Sequence, residues 1–330
     1  MSDILLSGRD WLLADGATGT NLFDMGLTSG DAPELWNETH PDRIRRLHQM
    51  FVDAGADIVL TNSFGGTRRR LALHGLDGRV HELNKLAAEN AGAVADAADR
   101  RVIVAGSVGP TGDLFAPLGA MTPEWAEEVF SEQIEGLKAG GADVIWIETM
   151  SALEEMRAAA RAAAKAGMPY TVTASFDTAG NTMMGVRPEV MAREVSAFAP
   201  HPHGFGCNCG VGASDLLCSV LAMTEAEPDA LVIAKANCGI PQVGAEGVTY
   251  TGTPQIMAHY ATLALDAGAK IIGGCCGTRP EHLLAMRRAL EGHRRGERPT
   301  LERIVAAIGP LVSPPARATV GERRAGRRRG

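Results

Sequence analysis

The sequence predicts a single closed barrel of eight parallel strands, each followed by a helix. Short apolar runs alternate with helix-patterned stretches eight times between Trp11 and Leu290. Repeated βα units build parallel sheets, and eight of them over this length suit a (β/α)8 TIM barrel better than an open sheet. No G-x-G-x-x-G follows the first apolar run, so the dinucleotide-binding arrangement lacks its fingerprint.

The elements follow in order. Trp11–Ala14 is the first strand. The stretch Pro41–Ala54 places Ile44, Leu47 and Phe51 at helical spacing and leads into Ile58–Leu60. The Ala-rich stretch Val80–Ala98 precedes Val102–Ala105. Pro123–Ala139, with proline at its start, precedes Val144–Ile147. Ala152–Ala166 stops at Gly167 before Tyr170–Ala174. Pro188–Phe198 precedes Phe205–Cys207, and Asp215–Glu225 precedes Leu231–Ala234. Pro254–Ala267 stops at Gly268 before Ile271–Ile272, and Pro280–Leu290 closes the series.

Residues 1–311 therefore read as the barrel and 312–330 as a separate tail. The tail holds Pro314-Pro315 and six arginines, the composition of a disordered basic segment. Such a segment is either a solvated tail or an arm for RNA or another acidic partner.

Composition narrows the function classes. Of the 330 residues, 45% are hydrophobic and 22% charged, enough for a large core. The net charge of −7 argues against nucleic-acid binding by the body. No run of about 18 apolar residues suggests a membrane span. Met1–Asp10 lacks a basic segment followed by an apolar stretch, so no signal peptide is expected and the expected setting is cytoplasmic. In that reducing setting the six cysteines are packing groups, ligands or nucleophiles rather than a disulfide framework.

Barrel enzymes carry their chemistry at the C-terminal strand ends. Those ends hold Asp15-Gly16-Ala17-Thr18-Gly19-Thr20, Thr61-Asn62-Ser63-Phe64, Gly106-Ser107-Val108-Gly109-Pro110, Glu148, Ser175-Phe176, Cys207-Asn208-Cys209, Asn237-Cys238-Gly239 and Gly273-Gly274-Cys275-Cys276-Gly277. Two acids and two cysteine clusters thus converge on one rim. Zinc favours soft thiolates in tetrahedral geometry, with three protein ligands and one open position in catalytic sites. Glycines around Cys275-Cys276 permit a turn that aims both sulfurs at one ion, the third thiolate coming from the sixth strand. The same pair also reads as two packed small residues or a vicinal disulfide. Cys207 and Cys218 read as packing groups. Cys238 is either packed or faces the substrate. A buried Glu148 needs a partner, either a substrate ammonium or a structural arginine. Asp15 either caps a turn or binds substrate.

These segments, with Glu148-Thr149, Gly206-Cys207-Asn208-Cys209 and Gly273-Gly274-Cys275-Cys276-Gly277-Thr278, resemble the homocysteine S-methyltransferase family over roughly Leu12 to Leu290. That family includes betaine–homocysteine enzymes, S-methylmethionine-dependent enzymes and the homocysteine module of cobalamin-dependent methionine synthase; the bacterial betaine enzymes are the nearest in pattern. The resemblance implies Zn2+ on Cys209, Cys275 and Cys276. It implies recognition of the homocysteine amino group by Asp15 and Glu148, with backbone at Gly16 and Ala17 beside the amino-acid moiety and Asn208 supporting the ligands. Homocysteine would be the nucleophile as a zinc-bound thiolate, and methionine the product.

The resemblance implies betaine as methyl donor, with dimethylglycine as co-product and with Trp36 and Phe64 in the donor pocket, because aromatic faces suit quaternary ammonium groups. Phe64 and Thr149 stand where the animal betaine enzymes carry tyrosines. A sulfonium donor (S-methylmethionine or dimethylsulfoniopropionate) and a methyl-corrinoid partner protein are the alternatives. A non-catalytic zinc-binding docking subunit for a corrinoid protein is the alternative outside enzymes.

Overall fold

The computed structural model describes residues 5–244 and 247–313. Eight parallel strands form one sheet. They are β1 (Leu12–Leu13), β2 (Ile58–Leu60), β3 (Ile103–Val108), β4 (Val144–Met150), β5 (Tyr170–Ala174), β6 (Gly204–Cys209), β7 (Val232–Ala236) and β10 (Ala269–Gly274). Their spatial order is β1-β10-β7-β6-β5-β4-β3-β2. A parallel bridge from Ala14 to Ile58 joins the two ends, so the sheet is a nearly closed barrel. Asp15 N donates to Ile58 O at 3.0 Å, and Asp57 N donates to Leu13 O at 2.6 Å across this seam.

Helices wrap the outside: α1 (Thr18–Asp24), α2 (Trp36–Thr39), α3 (Pro41–Asp53), α4 (Arg68–Leu71), α5 (Val80–Ala97), α6 (Pro123–Ala139), α7 (Leu153–Lys165), α8 (Pro188–Ser196), α9 (Ala213–Ala226), α10 (Pro254–Ala267), α11 (Pro280–Glu291) and α12 (Leu301–Ile308). Their limits follow local chemistry. Thr122 accepts from Trp125 N ahead of Pro123, and Thr253 accepts from Ile256 N ahead of Pro254. Gly268 ends α10 at φ 107°, a conformation that costs glycine little. None of the described helices is long and apolar enough to cross a membrane.

Alternate strand residues fill the barrel. Leu12, Ile58, Leu60, Ile103, Ala105, Val144, Trp146, Ile233 and Ile271 form the interior core, and Leu5 and Leu6 cover one end of it. Burying such a side chain contributes roughly 1.5–3 kcal/mol. The same inward faces turn polar towards the strand C-termini, giving Ser107, Glu148 and Lys235, all buried. This change from apolar to polar along each strand places the site.

The structure also holds elements absent from the sequence reading. Residues 18–24 and 301–308 are helical, and β8 (Pro241–Gly244) pairs antiparallel with β9 (Gly247–Tyr250) after β7. Val312 and Ser313, the first residues assigned to the tail, are held by the barrel: their N–H groups donate to the Asp215 carboxylate at 2.9 and 2.8 Å. The remainder of that tail, 314–330, lies outside the described residues.

Candidate metal and substrate site

A cavity of about 270 Å3 opens at the C-terminal end of the barrel, lined by Gly16, Ala17, Phe64, Glu148, Lys235 and the three cysteines among others. A larger, shallower trough of about 560 Å3 lies between α1, α3 and α11 and holds no cysteine. The smaller cavity carries the chemistry.

Cys209 ends β6, and Cys275 and Cys276 follow β10. Cys209 adopts φ 61°, strained for a non-glycine residue, and Gly210 (φ 74°) and Gly277 (φ 78°) bend the chain beside the sulfurs. Cys275 N donates to Ala236 O at 2.6 Å, and Cys276 N to Asn237 Oδ1 at 3.1 Å. The three sulfurs all lie within 4.8 Å of one another, and those of Cys209 and Cys276 are 3.9 Å apart. Zinc–sulfur bonds of about 2.3 Å in a tetrahedron need sulfurs about 3.8 Å apart, so the triad fits one such ion. Crowding also disfavours three free thiolates. The Cys209 thiol is driven up first by its contact with Cys275, and that of Cys276 is pushed up to about 11, chiefly by its hydrogen bond with Cys209. A cation held there would offset that repulsion with its own charge and so favour the deprotonated ligands.

Asn208 sits behind the ligands and does not line the cavity. Its Oδ1 accepts from Thr149 N at 2.9 Å and Thr173 Oγ1 at 2.7 Å, and its Nδ2 donates to Thr149 Oγ1 at 2.7 Å. The same nitrogen lies 4.0 Å from Cys275 Sγ. These bonds hold Thr149 at φ 61°. Thr149 directly follows Glu148, so one amide braces both a thiol and the carboxylate.

Glu148 lines the cavity and is 8% exposed. Its Oε1 accepts from Ser107 Oγ at 2.5 Å. Burial raises its pKa, against the opposing pull of Lys235 and Ser107. Asp15 already has partners within the protein. Its Oδ1 pairs with Lys235 Nζ at 2.6 Å, and its Oδ2 accepts Leu60 N at 2.7 Å. The cavity is lined by its partner Lys235, on β7, and not by Asp15 itself.

Phe64 reaches the cavity mouth and is 39% exposed. Trp36, drawn to the same pocket by the sequence, is placed elsewhere. It starts α2 and is buried in the outer core with Ile44 and Leu47. Its ring meets that of His40 at 4.5 Å, and the Arg43 guanidinium lies 5.0 Å from its centre. Helix formation turns it from the cavity, and Pro33 and Glu34 line the wall instead. Cys207 and Cys238 are buried.

Three further contributors carried no assigned role in the sequence reading. Lys235 sits in an apolar run, where a charge on a buried strand was itself a signal. Asn237 holds both cysteine turns, as its Nδ2 donates to Gly210 O at 2.6 Å. Tyr250, carried by β9, packs its ring against Gly277, beside Cys276.

A parallel αβ barrel with three thiols grouped for one soft metal ion, beside a buried carboxylate in an amino-acid-sized cavity, defines a class of thiol-bearing barrel proteins. Residues 12–290 match the family model described as Homocysteine S-methyltransferase, and the chain belongs to that family. Methionine synthase from Mycobacterium leprae (strain TN) is 31% identical over 341 residues, covering 94% of this chain and 28% of that protein. Methionine synthase from Mycobacterium tuberculosis (strain ATCC 25618 / H37Rv) is 31% identical over 336 residues with the same coverage. The chain thus spans less than a third of the length of these relatives. The metallated form of the homocysteine methyltransferase MmuM from Escherichia coli shares the fold, with a TM-score of 0.71 and 24% identity over 86% of this chain and 98% of that one.

Proposed function

We propose that this chain transfers a methyl group to the sulfur of L-homocysteine, making methionine, with Zn2+ held by Cys209, Cys275 and Cys276. The observation that carries this reading is the triad itself, three thiols within 4.8 Å at the rim of a cavity floored by Glu148. Family membership and the metallated form of MmuM support it. Zinc bound there would supply Lewis acidity that keeps an incoming thiol deprotonated at neutral pH.

The chain's own residues do the rest. Glu148 takes the substrate ammonium, its other hydrogen bond coming from Ser107. Gly16 and Ala17 form the wall beside the amino-acid backbone. A side chain at position 16 would meet the Phe51 ring at 2.7 Å, so glycine lets that wall pack directly on the core. The new S–C bond forms as the donor's bond to its methyl breaks, the bonding pair stays on the donor's nitrogen or sulfur, and the product leaves with that atom uncharged.

The proposed donor is a small methyl-onium compound, betaine first, with dimethylglycine released. Phe64 offers an aromatic face at the mouth, which suits such a cation. S-methylmethionine and dimethylsulfoniopropionate present the same charge. A second reading has the methyl arrive on a separate corrinoid protein. The 31% identity to methionine synthase favours that reading, as do the exposed Leu114 and Leu118 in the loop after β3. The free thiols of the triad suit a reducing, cytoplasmic setting.

The test is methionine formation by reduced, zinc-loaded protein given homocysteine and betaine, followed by mass spectrometry. Methionine with equal dimethylglycine supports the reading and the donor. Failure with betaine, both sulfonium donors and a methyl-corrinoid protein would overturn it in favour of a non-catalytic zinc-binding subunit.

A further inference from the structure

The two buried carboxylates at the C-terminal end of the barrel are not equivalent. Glu148 faces the cavity and accepts one hydrogen bond, from Ser107. Both oxygens of Asp15 are engaged, one by Lys235 Nζ at 2.6 Å and the other by Leu60 N at 2.7 Å. Lys235 also donates to the Asp15 carbonyl at 3.3 Å and is 2% exposed. It is the one cationic side chain among the described residues lining the cavity, and it lies close enough to Glu148 for their charges to interact. A buried ammonium released from its partner takes the nearest carboxylate, because leaving it unpaired is costly.

We propose that Asp15 serves the amino-acid subsite by holding Lys235 away from Glu148, so that Glu148 remains available for the substrate ammonium. Lys235 is then a positioning residue and a latent competitor for that ammonium. This inference rests on the homocysteine reading above. It predicts an order of effects that direct contact between Asp15 and substrate does not. Asp15→Asn frees Lys235 to occupy Glu148, whereas Asp15→Asn with Lys235→Met removes the competitor along with its partner.

The experiment measures dissociation constants by calorimetry on zinc-loaded protein. The two ligands are L-homocysteine and 4-mercaptobutanoate, which keeps the thiol and carboxylate but lacks the ammonium. The preference for homocysteine isolates the ammonium contact from the metal site. In the wild type a preference is expected; its absence would sink the homocysteine reading itself. Asp15→Asn should lose about 10- to 100-fold of the preference, the worth of a charged hydrogen bond. The double variant should regain about 10-fold or more. A double variant as weak as Asp15→Asn would overturn the proposal, because Asp15 would then touch the ammonium itself. If the single variant does not fold, the double variant decides alone: preference kept supports the proposal, preference lost overturns it. Glu148→Gln should abolish the preference, and its survival there would also count against the assignment.

Discussion

The side-chain oxygen of Asn237 accepts the backbone N–H of Cys276 at 3.1 Å, while its nitrogen donates to Gly210 O at 2.6 Å. One side chain after β7 thus ties the turn carrying two thiols to the turn carrying the third. Groups that orient metal ligands typically contribute 10- to 100-fold in affinity. Asn237→Ala should weaken zinc binding by about that factor, read by competition with a chromophoric chelator. Unchanged affinity would show that the turns hold themselves.

Removing a thiol should be more severe. Cys276→Ser should leave the purified protein with far less than one equivalent of zinc by elemental analysis. Cys218→Ser, in α9 and outside the triad, should keep the full complement. Equal zinc in both variants would refute the ligand assignment.

His48 gives a prediction about acid. It lies on the buried face of α3, 1% exposed, and its Nε2 has no hydrogen-bond partner. Burial lowers its pKa to about 4. The unfolded chain takes up this proton near pH 6.5, whereas the folded chain does so only near 4. Stability is therefore full above pH 6.5 and falls as pH drops between the two values, by about 2 kcal/mol at pH 5 and about 3 kcal/mol in all. Urea titrations of metal-free protein at pH 7 and pH 5 should show the loss, and His48→Leu should remove that share of it. The same loss in the variant would place the acid sensitivity elsewhere.

Gly206 allows close approach inside the barrel. A Cβ there would lie 1.9 Å from the carbonyl oxygen of Ile233 on the neighbouring strand. No rotamer change relieves a clash with backbone, so β6 and β7 must separate. Overpacking of this kind costs about 3 kcal/mol. Gly206→Ala should lower the urea midpoint markedly and, because β6 ends at Cys209, weaken metal binding as well. A variant with wild-type stability would mean the strands part without strain.

Much of this was legible in the sequence because it was written in local patterns. Apolar runs such as Val144–Ile147 and Tyr170–Ala174 marked strands, and the glycines around Cys275-Cys276 marked an irregular turn. What escaped depended on three-dimensional neighbours. The Lys235–Asp15 pair joins residues 220 apart. Trp36 had the right chemistry for a cation but is carried into the outer core by a short helix. Tyr250 comes beside Cys276 only because β8 and β9 fold back after β7. The interior run of β7 read as apolar, so its one charge, the lysine that sorts the two carboxylates, passed as a strand boundary.

Asp15 divides its carboxylate between two duties. One oxygen holds Lys235, and the other holds Leu60 N where the first and second strands meet. Selection cannot tune these duties separately. A change that altered recognition at this position would also loosen the join that makes the sheet a barrel, so evolutionary drift or laboratory redesign of specificity has more freedom in the loop that carries Phe64.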